Sequence, residues 1–145
     1  MKRYKFRLET IMRIRKLQEQ QARELVAINN HNYKKAQNSL LEQEIRYQKI
    51  DNPLGLTTLG SFLDQRCRSQ AAASTVKGFQ ENLSKSQIDL NEAIEVWGQT
   101  AKKLSALKRL DQRRQEEYLG ESLRQETILL DEIGSNQTVK SNKKV

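Results

Sequence analysis

Chain breakers are scarce in this sequence. Pro53 is the only proline, and two of the six glycines, Gly55 and Gly60, stand close to it. Cysteine and histidine are scarcer still. Cys67 and His31 are single, which excludes an intramolecular disulfide and leaves too few ligands for a zinc cluster. His31, among Asn29, Asn30 and Asn32, is expected to be a solvated or seam-edge residue. Cys67 is expected to be a small semi-buried residue rather than a nucleophile, because only His31 could activate it and nothing places the two together. No apolar run approaches the ~20 residues of a membrane span. The basic N-terminus lacks the continuous apolar stretch of a secretory signal. The expectation is a soluble, cytoplasmic chain.

Catalytic constellations are missing too. The glycines fall at 55, 60, 78, 98, 120 and 134, none in a phosphate-loop spacing. No Ser/His/Asp set can form around a lone histidine on an exposed helix. Glu116, Glu117, Asp131 and Glu132 have basic neighbours and read as solvated faces or ion pairs rather than an acid/base pair in a cleft. The chain is therefore expected not to be an enzyme and to carry no cofactor or metal.

What is present is polar and periodic. Hydrophobic residues make up 36% of the 145, charged residues 30%, and the mean hydropathy is −0.83. That is too polar for a globular core of this length but sufficient for a narrow two-helix seam. Disorder, the competing reading of such a composition, gives way to the regular spacing of the apolar residues. The stretch 51–60 is read as the hinge. Pro53 stops a helix arriving from the N-terminal side, Gly55 and Gly60 permit reversal, and Thr57, Thr58 or Ser61 can cap a new helix.

Residues 1–50 are read as the first long helix, regular from about residue 5, with a stripe through Leu8, Ile11, Ile14, Ala22, Leu25, Tyr33, Ala36, Leu40 and Tyr47. Counting the polar interruptions at Gln18, Asn29 and Glu44, these twelve positions average about 3.5 residues apart, the period of a seam that keeps facing one partner. The second helix, 61–134, shows this more clearly. Val76, Leu83, Leu90, Trp97 and Leu104 recur every seven residues, accompanied by Phe79, Ala93 and Leu107. Trp97 is taken as a seam residue. A further stripe, Leu119, Leu123, Leu130 and Ile133, is out of phase with the first. Gly134 is expected to end the helix, and 135–145 to form a disordered basic tail. The fold class is thus all-α: a long antiparallel two-helix coiled-coil hairpin with an overhanging C-terminal helix. Folding about residues 55–56 pairs residue i with residue 111 − i. Trp97 should then meet Ile14, and 108–134 should overhang by roughly 40 Å.

Charge is uneven. Of the net +8, residues 1–16 carry +6, and Lys140, Lys143 and Lys144 another +3. Folded at Pro53, the chain would bring both basic ends to one pole, which would steer it toward an acidic partner. Arg3, Lys5, Arg7 and Arg13 are the candidate basic contacts. Leu119, Leu123, Leu130 and Ile133, with Tyr118 and Asp131, are the candidate apolar and polar contacts of the overhang.

Both ends of the chain resemble a known family. Phe6 to Lys16, followed by Ala22-Arg23-Glu24-Leu25, is similar to the opening of the flagellar FliJ proteins. Trp97 with Leu104 and Leu107, then Tyr118 and Glu126 to Ile133, resembles that family's closing signature. The resemblance implies an antiparallel coiled coil like the central stalk of rotary ATPases, serving flagellar type III protein export. It also implies the hexameric export ATPase, the export gate protein and export chaperones as partners, at the inner membrane but peripheral to it. The alternatives are a basic helical hairpin that binds nucleic acid, or a structural coiled-coil spacer. Against nucleic acid stands the shortage of aromatics among the basic residues, where only Tyr4 and Phe6 occur; none is expected as a partner.

Overall fold

A computed structural model describes residues 3–51, 55 and 58–142. The fold is all-α: α1 runs over Glu9–Asp51 and α2 over Leu59–Asn142, 43 and 84 residues long, and the two pack against each other as a helical hairpin. Among the described residues there is no β-strand. By packing, the chain divides into two compact units, one of residues 18–100 and one of residues 1–17 with 101–145.

In the unit of residues 18–100, antiparallel pairing is fixed by contacts across the helices. Gln65 Nε2 donates to the Ile50 carbonyl, and Ser69 Oγ donates to Asp51 Oδ1 at 2.9 Å. Farther along, Asn29 Nδ2 reaches the Asp89 carbonyl at 3.3 Å, and the Trp97 indole donates to Glu19 Oε1 at 3.0 Å. Trp97 therefore meets Glu19, not Ile14, and the pairing lies about a helical turn from the expected register. Two causes add. Side chains on a helix lean toward its N-terminus, so each contact falls past the level of its own Cα. In addition, α2 begins ahead of its partner: Leu59 to Asp64 are all exposed, and contact starts at Gln65.

Thr58 caps α2. Its Oγ1 accepts from the Ser61 backbone N–H at 3.2 Å, and its carbonyl accepts from Phe62 N–H at 3.1 Å. Gly55 takes φ +87°, the left-handed conformation in which glycine has no Cβ penalty. Gly60, read as part of the hinge, is helical instead. The expected roles of Pro53 and Thr57 fall outside the described residues.

The α2 seam follows the heptad seen in the sequence. Val76, Phe79, Leu83, Leu90 and Trp97 are half-buried and Ala93 is buried, and the frame extends back to Ala72 and Ser69. The α1 seam differs from expectation. Leu8 and Leu40 are half-buried, but Ile11, Ile14 and Leu25 are about half exposed. The inward positions are Met12, Arg15, Glu19, Ala22, Val26, Asn29, Tyr33 and Ala36, alternating three and four residues apart. The reason is geometric. Continuing the frame of Ala22, Asn29 and Ala36 back by sevens reaches Arg15 and Leu8, whereas the aliphatic stripe drifts around the helix. Cys67, expected to be semi-buried, is exposed on the outer face of α2.

Helix α2 also passes through Gly134 to Asn142, where a stop and a disordered tail from residue 135 were expected. One glycine costs a helix only about 1 kcal/mol, and no proline follows. Thr138 Oγ1 bonds back to the Gly134 carbonyl at 3.0 Å within the continuing helix.

Candidate partner-binding site

In the unit of residues 1–17 and 101–145, the chain ahead of α1 is not helical: Arg7 and Leu8 form a turn, with Glu9 N–H donating to the Phe6 carbonyl at 3.2 Å. Arg3, Lys5 and Arg7 are exposed while Tyr4, Phe6 and Leu8 are half-buried, so the segment lies with its apolar side chains on a surface and its bases in water. The signal was already in the sequence, where charged and apolar residues alternate strictly from Arg3 to Leu8. Tyr4 anchors the segment. Its hydroxyl donates to Asp111 Oδ1 at 2.8 Å, and its ring lies 5.5 Å from that of Tyr118. Partial burial, the hydrogen bond to Asp111 and the negative charge of that carboxylate push the Tyr4 phenol above its ordinary value of 10.0. Tyr4, Phe6 and Leu8 line an open groove with Leu110, Arg114 and Tyr118.

This segment lengthens the cover over α2. Tyr4 reaches Asp111 and Tyr118, past Leu107, where the cover was expected to end. Packing therefore continues in the old heptad frame past Leu104 and Leu107 to Asp111 and Tyr118. The overhang starts near Leu119 rather than Lys108.

Beyond Ser122 every described position of α2 through Lys140 is exposed. Leu119, Leu123, Leu130 and Ile133 are 54%, 64%, 68% and 54% exposed, and Ile128 and Leu129 are bare as well. Asp131 is exposed beside them. Leu119, Leu123, Leu129, Leu130 and Ile133 form an uncovered apolar face along about 21 Å of helix. The unit thus brings Arg3, Lys5, Arg7 and Tyr118 into one region. Arg13 lies on α1, exposed, and pairs with Glu9 at 3.0 Å, an i, i+4 contact of small energetic weight.

The expectation of a uniformly basic open end needs correction. Residues 115–133 hold six carboxylates and one base, Arg124, a balance of −5. The overhang is an acidic amphipathic helix bordered by bases at Lys108 to Arg114 and at Lys140. Sequence reasoning merged these regions because it summed charge over the ends of the chain rather than along the uncovered helix.

No helix among the described residues is long and apolar enough to cross a membrane. Comparison with curated proteins and with solved structures returned no match. The family model described as flagellar FliJ protein matches residues 4–143, a span that contains both the anchored segment and the whole uncovered face. With nearly its full length matched, the chain belongs to the flagellar FliJ protein family and is a component of the flagellar protein-export apparatus.

Proposed function

We propose that this protein binds the hexameric export ATPase as a coiled coil resembling a rotary-ATPase central stalk, and that it escorts export chaperones to the gate at the cytoplasmic base of the flagellum. Family membership supports the setting. The observation that carries the contact is the bare face from Leu119 to Ile133, which no other segment of the described chain covers. Burying these side chains in a ring-shaped partner supplies durable binding, since each buried leucine contributes about 1.5–3 kcal/mol. The outward bases Arg3, Lys5 and Arg7 govern encounter rate and salt dependence.

Two variants separate the roles. Changing Arg3, Lys5 and Arg7 to Glu slows association with the ATPase and alters its salt dependence. Changing Leu119 and Leu123 to Ala speeds dissociation and lowers ATPase stimulation. Parent-like binding and stimulation by both variants would move the contact to the turn-proximal half, Leu40 to Phe79, where Leu41, Ile45 and Phe62 are also exposed.

A further inference from the structure

The uncovered face of α2 carries a single charge. At about 100° per residue, Leu119, Leu123, Glu126, Leu130 and Ile133 fall within an arc of about 80°. Their steps of four, three, four and three are those of a coiled-coil seam, and Glu126 holds the middle position. Both flanks are neutral, with Gly120, Thr127 and Gly134 on one side and Ser122, Leu129 and Asn136 on the other. Glu121, Arg124, Asp131 and Glu132 lie at least about 120° from the centre of the arc, on the far side of the helix.

Glu126 is exposed, and its own helix offers it no base: the neighbours three and four residues away are Ser122, Leu123, Leu129 and Leu130. Two acids at seam positions elsewhere in the chain are answered from the facing element. Glu19 accepts from the Trp97 indole at 3.0 Å, and Asp111 from the Tyr4 hydroxyl at 2.8 Å. A helix laid on the overhang would take the Glu126 carboxylate out of water, which is costly unless that helix supplies the answering group. Nothing inside the chain needs the two flanking glycines, since a Cβ at Gly120 or Gly134 would meet nothing within 4 Å. Their small size instead lets a neighbouring helix come close on that side.

We propose that Glu126 selects the occupant of this face: a helix that brings a lysine or arginine to the middle of a matching apolar seam, to the exclusion of a second copy of this chain. This choice of occupant deepens the ATPase contact proposed above and rests on it only for the identity of the partner. A second overhang would fail in either direction. Parallel and in register, it sets Glu126 against its own counterpart; antiparallel, it sets Glu126 against that counterpart or against Leu130. Both arrangements bury two carboxylates unanswered. One base at the level of Glu126 turns the same carboxylate into a pair that fixes register.

Purified full-length protein can supply the base-bearing helix itself. In analytical ultracentrifugation the parent and Glu126→Lys are each expected to sediment as monomers, while their equimolar mixture pairs, each overhang meeting the opposite charge in register. Glu126→Leu, which removes the carboxylate, is expected to self-associate at least about tenfold more tightly than the parent. Glu132→Lys makes the same change of charge on the far side and is expected not to pair with the parent. Circular dichroism checks that each variant keeps its helices, and Glu126→Arg replaces a Glu126→Lys that does not. A mixture no more associated than its components overturns the proposal, as does a parent as associated as Glu126→Leu. Binding to the export ATPase then separates this reading from the contact it deepens. Glu126→Lys is expected to weaken that complex at least about tenfold. A complex weakened by Leu119→Ala with Leu123→Ala but indifferent to Glu126→Lys would overturn selection by charge and keep the contact. A mixture that pairs, beside ATPase binding indifferent to all three residues, would overturn the contact and keep the selection.

Discussion

Shortening Leu104 to Ala tests the packed seam at its best-covered large side chain, 7% exposed. The substitution removes about three carbon groups from an apolar contact, a transfer loss of about 2.4 kcal/mol at 0.8 kcal/mol per group. In a fully enclosed core a cavity penalty would take the total toward 5 kcal/mol. Here the seam is one layer thick and open to solvent at both edges, so the helices can close over much of the gap. Alanine also returns a few tenths of a kcal/mol in helix propensity. The expected loss is about 2–3 kcal/mol, lowering the urea midpoint by about 1 M at an unchanged slope of about 2 kcal/mol/M. Leu123→Ala is the matched control, because 64% of that residue already meets water. Its expected change lies within about 0.5 kcal/mol of zero. Far-ultraviolet circular dichroism during urea titration reads both. Equal midpoint shifts in the two variants would refute the assignment of Leu104 to a buried seam and of Leu123 to an uncovered face.

Trp97→Phe keeps an aromatic ring but leaves Glu19 without its indole donor, and is expected to cost about 1 kcal/mol in the same titration. Cysteines at Ala22 and Ala93 in a Cys67→Ser background are expected to close an intramolecular disulfide on oxidation; a disulfide formed only between chains would contradict the hairpin register. Because the folded state raises the Tyr4 phenol above 10.0, it holds that proton more tightly than the unfolded chain does. Its stabilisation is thus complete below pH 10 and fades as pH climbs through the raised value. Subtracting the phenolate absorbance of Tyr4→Phe from that of the parent should show one late-titrating tyrosine, and a superimposable pair of curves would contradict the Asp111 contact.

The α2 seam was legible because nearly every heptad position from Val76 to Leu107 carries an apolar residue. On α1 the reading failed where the seam itself is polar. Arg15, Glu19 and Asn29 point inward, while Ile11, Ile14, Leu25 and Ile28 stay outside, so following the largest aliphatics traced the wrong face. Polar groups survive in a seam this thin because their ends reach solvent or a partner, as Glu19 does with Trp97 and Arg23. The candidate contacts of the overhang could be read from the stripe at Leu119 to Ile133. The cover that determines where they begin could not, because the alternation from Arg3 to Leu8 was absorbed into a helix.

A heptad repeat is ambiguous in one respect: shifting either strand of the pair by seven residues maps apolar layers onto apolar layers. Suppose α2 slid by seven in the unit of residues 18–100. Trp97 would leave Glu19 and lie opposite Val26, its N–H without an acceptor, at a cost of about 1–3 kcal/mol. Asn29 would lose the Asp89 carbonyl in the same step. Ala22 and Ala93, 8% and 4% exposed, are now both enclosed in the seam; after the slip they would stand opposite Thr100 and Asn29 instead. Each error falls at a different height along the helices, so none compensates another. The off-sequence residues of the seam act as a checksum, distinguishing the native alignment from a neighbour that the leucines alone would accept.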